Sequence, residues 1–229
     1  MKSFLLLLLF MNLINCLQIY IGSTGLLFPY SLGSIAYLKH NLNYSNINMT
    51  GVSGGAWCSI IFQIENNLTN HDYLWKKYIG TEHEKINIFN RKCMEKLQNK
   101  LTNSIMQTNI DVKNIPIAFY VTKIQPFYSK NILINKFESL DQIVNFAKCS
   151  SYIPFLCGKN ISFKYHNNHY IDGVFFHKIP SDISLQISPH YFTLFQKLYI
   201  NSKLDMKISK SLFDKGWKDS EKRFAKLKK

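Results

Sequence analysis

The feature that most restricts the fold of this chain is the run Gly51-Val52-Ser53-Gly54-Gly55. It follows a β-branched, apolar stretch and precedes an apolar stretch with helical spacing, Ala56 to Ile61. We therefore predict a strand that turns sharply into a helix, with Ser53 in strained backbone at the turn. Glycine on both sides, at Gly51 and Gly55, leaves room for a substrate to approach. Because the helix begins directly after Ser53, its free N–H groups and positive dipole end can stabilise an oxyanion there.

The length of the chain restricts its domain organisation. With 229 residues and 46% hydrophobic content, it can form one well-buried domain but is too short for two ordinary ones. We expect this domain over residues 17–200 and a separate C-terminal segment over residues 201–229.

The N-terminus differs from the rest in character, since Lys2 precedes the apolar run Phe4 to Met11. This order is typical of a secretory leader, and the run is too short to span a bilayer comfortably. We expect residues 1–16 to be a signal peptide, with a buried first strand or a membrane anchor as alternatives. The expected location is the secretory pathway, or otherwise a membrane surface.

The cysteines indicate no metal site. Cys16 belongs with the leader, and the other four have neither metal-ligand spacing nor a small-scaffold disulfide pattern. Disulfide pairing in an oxidising compartment stays open.

The net charge of +14 is concentrated near the end, where residues 203–229 carry ten Lys or Arg residues against four acidic ones. An apolar stripe that includes Leu212, Phe213 and Phe224 predicts a basic amphipathic helix over 207–229, which Gly216 weakens. The helix is expected either to dock on an anionic membrane or to close the core. The chain has no zinc-finger, helix-turn-helix or RNP-like pattern, so nucleic acid is not an expected partner.

The order of elements at the start predicts an α/β fold. The predicted elements are a strand at Leu17–Ile21, a turn at Gly22–Gly25, a helix from Pro29, a strand at Asn46–Thr50 and a helix at Gly54–Ile64. In such a parallel arrangement, the turns after the strands gather on one edge of the sheet and build the site.

The rest of the chain continues the pattern after a helical insertion. The helical spacing of apolar residues within the polar stretch 71–107 predicts a pair of helices inserted at the edge of the sheet. Further elements are predicted as strands at Pro116–Thr122, Asn131–Ile134, Ile161–Ile171 and Ile183–Ile187, and as a helix at Leu140–Ser150.

A serine nucleophile needs a base, and one class of candidates is histidine. The histidines that follow Ser53 and could complete a Ser–Asp–His triad are His166, His169, His177 and His190. The α/β-hydrolase fold, however, places several strands before its nucleophile. Only one complete strand–helix unit precedes Ser53 here once the leader is removed, which argues against a triad.

The better candidate for the base is Asp172, at the end of the predicted strand in Tyr170-Ile171-Asp172-Gly173. A carboxylate can accept the serine proton if burial raises its pKa toward neutrality. Alone, Asp-Gly predicts only a hairpin turn. Together with the serine turn, it favours a Ser53/Asp172 dyad.

A glycine turn, G-x-S-x-G and a late Asp-Gly, in this order and without a required histidine, resemble the patatin-like phospholipase family. The resemblance covers residues 18–190, within the expected domain. It includes Gly33 in the first helix and the run Cys149 to Pro154, where the family has a serine followed by a proline. The stretch from Asn131 to Gly173 is similar to the adiponutrin-type branch.

The resemblance implies a three-layer α/β/α fold with a mostly parallel sheet and a Ser53/Asp172 dyad. It implies hydrolysis of fatty acyl esters of phospholipids, galactolipids or acylglycerols through an acyl-enzyme, with no metal or other cofactor. Backbone N–H groups near Gly25 and of Gly54 would hold the oxyanion.

The first turn departs from the family pattern, and only Gly25 matches well. The departures are Ser23 and Thr24 in place of glycines, Leu27 in place of a basic residue, Phe28 in place of a later glycine and, after Asp-Gly, Val174 in place of a small residue. A reshaped oxyanion pocket would lower activity. A second hypothesis is therefore a lipid-binding protein that kept the fold and lost the chemistry.

Overall fold

The computed structural model describes residues 16–41, 46–189 and 192–225. Residues 1–15 of the expected leader, the candidate base His190 and residues 226–229 of the basic segment lie outside the described residues, and Cys16, the last residue of the expected leader, begins the first strand. The described chain has a mixed α/β architecture in which a central, mostly parallel sheet is flanked by helices, consistent with the predicted α/β/α fold.

The bounds of the elements are as follows. The strands are β1 (Cys16–Ile21), β2 (Asn46–Val52), β3 (Ile117–Gln125), β4 (Tyr128–Ile134), β5 (Phe163–Tyr165), β6 (Asn168–Ile171) and β7 (Leu185–Ile187). The helices are α1 (Phe28–Asn41), α2 (Gly54–Ile64), α3 (His71–Leu74), α4 (Arg91–Met106), α5 (Leu140–Ser150), α6 (Leu194–Ser202) and α7 (Met206–Phe224). A 3₁₀ turn at Gly25–Leu27 precedes α1, and a π-helical turn at Trp75–Ile79 follows α3.

The seven-stranded sheet has the order β5-β6-β3-β2-β1-β7, and β4 also pairs with β3. β1 is parallel to β2 and β7, and β2 is parallel to β3, whereas β4 and β6 are antiparallel to β3. Around Tyr120, β3 pairs with β2 and β4; around Thr122, it pairs with β6 and β4. Because β4 occupies one edge of β3 at both places, β2 and β6 share the other edge. The end of β6 therefore meets the end of β2.

The predicted elements match the structure except for one helix that was missed. The predicted helix at Leu140–Ser150 is confirmed, and residues 71–107 contain two helical segments, α3 continued by the π-helical turn and then α4. The helix at Leu194–Ser202 was not predicted. Its signal was a capping box, in which Thr193 and Gln196 bond each other's backbone N–H groups before an apolar run.

The apolar stripe of the C-terminal segment lies in the core. Leu212, Phe213 and Phe224 of α7 are buried, and α7 packs along α1. The stripe thus closes the core, which was one of the two expectations for this helix. Within the described ranges, no helix combines the length and apolarity needed to cross a bilayer.

The glycine at position 216 has a packing reason. A Cβ atom at Gly216 would collide with the carbonyl oxygen of Tyr30, and one at Gly33 would collide with that of Phe213. The two glycines therefore let the backbones of α1 and α7 approach closely. The cost of glycine to helix propensity is offset by this packing.

The four cysteines after Cys16 carry free thiols in the structure. They are Cys58, Cys93, Cys149 and Cys157. Cys58 on α2 is fully buried and packs as a small apolar side chain in the core.

Candidate active site

Ser53 lies at the turn between β2 and α2 with φ of 57° and ψ of −127°, a conformation that side chains other than glycine rarely adopt. A Cβ at Gly51 would collide with the carbonyl oxygen of Gly55, and a Cβ at Gly55 would collide with that of Ile21. These two glycines are thus required for the close packing of α2 on β1 and β2. Packing thus gives a second reason for these glycines, beside the predicted approach of a substrate to Ser53.

Asp172 directly follows β6 and lies beside Ser53, because β6 ends where β2 ends. The Ser53 Oγ–H donates a hydrogen bond of 2.6 Å to Oδ2 of Asp172. The backbone N–H of Val174 donates to Oδ1 at 2.9 Å, and the N–H of Asp172 itself donates to the carbonyl of Tyr152 at 2.8 Å. The carboxylate is thus held from several directions with one oxygen directed at the serine.

The environment makes the Asp172 carboxylate more basic than an exposed one. Its side chain is 1% exposed and that of Ser53 is 4% exposed. Loss of water around the charged form raises the pKa of Asp172 to about 6, although the hydrogen bonds from Ser53 and Val174 act in the opposite direction. A carboxylate with this pKa is ionised at neutral pH and is suited to general-base catalysis.

Ser150, the last residue of α5, links the turn that carries Ser53 to the turn that follows Asp172. Its Oγ accepts a hydrogen bond from the N–H of Ser53 at 2.9 Å and donates one to the carbonyl of Tyr120 at 2.7 Å. Its carbonyl accepts from the N–H of Gly173 at 2.9 Å. The sequence placed Ser150 in the resemblance to the family but indicated no role for it, since nothing local marks a serine at a helix end as a tie.

Asn131 on β4 holds the turn after Asp172, and sequence reasoning also missed it. Its Nδ2 donates to the carbonyl oxygen of Gly173 at 2.8 Å. No local signal marks this asparagine, because the contact joins residues 42 positions apart.

Gly25 and Gly54, predicted to donate to the oxyanion, adjoin the same cavity as Ser53. Gly54 is the first residue of α2, so its N–H has no intrahelical acceptor. The turn at Gly25 is held by Asn201 of α6, whose Oδ1 accepts from the N–H of Leu26 at 3.0 Å. The sequence analysis missed this tie, because it joins residues 175 positions apart and α6 was not predicted.

Thr24 lies at the predicted oxyanion position. Its side chain packs against Gly54 and its hydroxyl donates to the carbonyl of Gly25 at 3.3 Å. The Thr24 side chain therefore occupies the space beside Gly54.

A cavity of about 60 Å³ adjoins Ser53. Its wall is mainly apolar and includes Trp57 of α2 and Met94, Leu97 and Leu101 of α4. Such a lining suits an acyl chain better than a hydrated group. A larger cavity of about 480 Å³ lies between α1, α7 and β7, but neither Ser53 nor Asp172 lines it.

The candidate histidines that the structure describes contact residues other than Ser53 and Asp172. His169 shares a hydrogen bond of 2.9 Å with Ser162, and the ring of His177 contacts that of Tyr120 at a centroid separation of 4.2 Å, tilted by 48°. Burial lowers the pKa of His177. His166 lies in the turn between β5 and β6.

Within residues 16–41, 46–189 and 192–225, the hydrogen-bond partners of the Ser53 side chain include no histidine. The same part of the chain has no group of three or more His, Cys, Asp or Glu side chains that could hold a metal ion.

Comparison with known proteins assigns no family to this chain. No family model matches it, and no curated protein does. It is similar to a solved structure described as the heterodimeric ExoU-SpcU complex from the type III secretion system of Pseudomonas aeruginosa, at 9% identity with a TM-score of 0.44. The match covers 93% of this chain and 52% of the other, so this chain spans about half the length of its neighbour. A likeness this weak assigns no activity.

Proposed function

We propose that this chain is a lipid acyl hydrolase of the patatin-like type, which cleaves fatty acyl esters of phospholipids or acylglycerols. The observation that carries the proposal is the 2.6 Å hydrogen bond from Ser53 Oγ to a carboxylate whose pKa burial raises to about 6. The apolar wall beside Ser53 supports an acyl chain as the group that is bound.

The proposed mechanism has two halves. Asp172 takes the proton of Ser53 as Oγ attacks the ester carbonyl, and N–H groups of Gly54 and the Gly25 turn stabilise the oxyanion. Asp172 then returns the proton to the leaving alcohol, which leaves an acyl group on Ser53. In the second half, Asp172 takes a proton from water as its oxygen attacks the acyl carbonyl, and then returns that proton to Ser53 Oγ as the bond to the acyl group breaks and the fatty acid is released.

The proposal is tested with short-chain nitrophenyl esters and mixed phospholipid vesicles. Ser53→Ala and Asp172→Asn should each lower turnover by at least about a thousandfold, since each removes a group that acts in the transition state. His177→Ala is the matched control and should retain turnover within about tenfold. Activity that survives both dyad substitutions would exclude the mechanism, and a thousandfold loss in His177→Ala would favour a triad.

The pH dependence gives a second test of the same base. Asp172 must be ionised to accept the proton, so kcat/KM should rise with pH and level off above its pKa of about 6. A profile that is flat between pH 5 and pH 8 on a soluble ester would argue against Asp172 as the base.

A second candidate function is lipid binding without hydrolysis, favoured by the packing of Thr24 against Gly54 at the oxyanion position. Labelling by a fluorophosphonate separates the two, because only an activated serine reacts with it. The hydrolase should be labelled at Ser53 and the Ser53→Ala variant should not. Robust labelling at Ser53 would exclude the binding protein, and absence of labelling would favour it.

We further propose the secretory pathway as the location, on the strength of Lys2 and the apolar run after it. A membrane surface is the alternative. Expression in a eukaryotic host should yield protein in the medium whose N-terminal sequence begins near position 17. Retention in the cytosol with an intact first residue would contradict this location.

A further inference from the structure

The hairpin formed by β3 and β4 extends well beyond the dyad. β3 pairs with the last residue of β2 through Tyr120 and then continues for five more residues to Gln125. Gln125 pairs with Tyr128, so only Pro126 and Phe127 form the turn. At about 3.3 Å per residue, the tip lies about 17 Å beyond the end of β2, in the direction in which β2 points. The hairpin therefore projects beyond the dyad, with β6 paired alongside β3 up to Ile124 and β5 paired with β6.

The tip of this hairpin is aromatic and solvent-exposed. Phe127 is 98% exposed and Tyr128 is 59% exposed. Two-residue hairpin turns favour Gly, Asn and Asp, so turn geometry gives no reason for an aromatic residue here. An exposed aromatic pair at the tip of the hairpin suits an apolar partner, and Tyr in particular suits a membrane interface.

Lysines surround the tip without acidic partners. Lys123 lies directly opposite Lys130 across the hairpin, and Lys164 lies two strands away on β5. Among the described residues, no carboxylate is within salt-bridge distance of these three. Like charges directly opposite each other destabilise a strand pair, and an anionic partner would relieve the repulsion.

We propose that this hairpin, with Phe127 and Tyr128 at its tip and Lys123 and Lys130 behind them, binds the protein to an anionic lipid membrane. The aromatic side chains enter the headgroup region while the lysines contact anionic headgroups. Its purpose rests on the proposed hydrolysis of membrane lipids, because the contact turns the dyad edge of the sheet toward the bilayer. The binding itself does not require Ser53.

The basic C-terminal helix is a poorer anchor than the hairpin. Leu212, Phe213 and Phe224 of α7 are buried, and the helix packs along α1, while Met206, Ile208 and Trp217 are partly buried against the core. We therefore assign the membrane contact to the hairpin, whose aromatic tip is more exposed than the apolar stripe of α7.

The test is flotation of the full-length protein with vesicles of phosphatidylcholine alone and with added phosphatidylserine. The wild type should bind the phosphatidylserine vesicles more strongly. Phe127→Ser/Tyr128→Ser should lower the affinity by about tenfold or more, through loss of apolar burial. Lys123→Gln/Lys130→Gln should lower it by about fivefold per lysine, only on the anionic vesicles.

Two variants serve as matched controls. Met106→Ser removes a 44% exposed apolar side chain at the end of α4, and Lys218→Gln/Lys222→Gln removes two exposed lysines of α7. Neither should change binding by more than about twofold. Because Phe127, Tyr128 and Lys130 are exposed and Lys123 is only half-buried, the circular dichroism melting curves of the hairpin variants should match the wild type.

The outcomes separate this inference from the proposed function. Hairpin variants should hydrolyse a soluble short-chain ester at the wild-type rate, and Ser53→Ala should bind vesicles like the wild type. If the wild type does not bind vesicles, or if wild type and hairpin variants bind equally, the proposed membrane contact of the hairpin is wrong, while the proposed hydrolase activity is unaffected. Self-association that the hairpin variants abolish, without vesicle binding, would overturn the membrane contact in favour of a contact between copies.

Discussion

At the scale of single residues, the site combines two local costs that an ordinary fold would avoid. Ser53 adopts a left-handed backbone conformation, and Asp172 places an ionisable group where water hardly reaches it. Strained backbone and buried carboxylates of this kind gather at functional sites. Both costs can be measured as free energies of unfolding, independently of any substrate.

The strain at Ser53 predicts a difference between two substitutions that both remove Oγ. Ser53→Gly should be more stable than Ser53→Ala by about 1 kcal/mol, because glycine accepts a φ of 57° without a Cβ penalty while alanine keeps the strain. Urea denaturation of the two variants checks this. Equal stability, or a more stable alanine variant, would contradict the strained turn.

The burial of Asp172 predicts how stability depends on pH. Its pKa of about 6 in the folded state lies above the ordinary value of 3.8, so the folded state binds the proton more tightly than the unfolded state. Its contribution is therefore most favourable below about pH 4 and is lost as pH rises through 6, to a total of about 3 kcal/mol. Asp172→Asn removes this dependence and should be more stable than wild type at pH 8 by about 1–3 kcal/mol.

Urea denaturation at pH 4 and at pH 8 checks this prediction. The advantage of Asp172→Asn should shrink toward pH 4, where the wild-type carboxyl is protonated. The control is Asp182→Asn, which changes an exposed carboxylate. An advantage that is the same at both pH values would show that the carboxylate carries no burial cost.

At the scale of elements, helix packing decided what the C-terminal segment does. Charge and an apolar stripe were visible in the sequence, but a stripe suits a membrane and a protein core equally well. The close contact of α1 and α7, through Gly33 and Gly216, explains why this stripe is in the core. β6 shows the same dependence on context. It pairs with β3 along the edge that β2 also uses, and this pairing is a long-range contact.

The close contact between α1 and α7 predicts that Gly216→Ala lowers stability, whereas helix propensity alone would predict that it raises stability. Gly216→Ala should destabilise the protein by about 2 kcal/mol, since the new Cβ collides with the carbonyl of Tyr30 and this outweighs the roughly 1 kcal/mol gain in helix propensity. Ser211→Ala, on the exposed face of the same helix, is the control and should be neutral or slightly stabilising. Thermal melts compare them, and a stabilised Gly216→Ala would refute the close packing.

At the scale of the whole molecule, elements from the beginning and from the end of the described chain pack against each other around one sheet. β1 lies between β2 and β7, and α7 covers α1, so the last described helix stabilises the first. The C-terminal helix is thus part of the core that supports the Gly25 turn and the serine turn.

This arrangement predicts the result of truncation. Deletion of residues 206–229 should abolish cooperative folding, because it exposes the apolar face of α1 together with the partners of Leu212, Phe213 and Phe224. Deletion of residues 226–229 alone is the control and should leave the melting transition within a few degrees of the wild type. A folded, active protein without α7 would mean that the helix is a dispensable appendage.

The sequence by itself determined what depends on near neighbours: the strand–turn–helix at Ser53, the strand ending at Asp172, the helix Leu140–Ser150 and the α/β class. These follow from periodicity, glycine positions and caps, which act within a few residues. Only the tertiary structure decided that β6 ends beside β2, that Ser150 and Asn131 brace the site, and that α7 packs on α1. It also decided the proton affinity of Asp172. The physical reason is that strand pairing, close helix contact and desolvation depend on residues far apart in the chain, whose arrangement no local pattern contains.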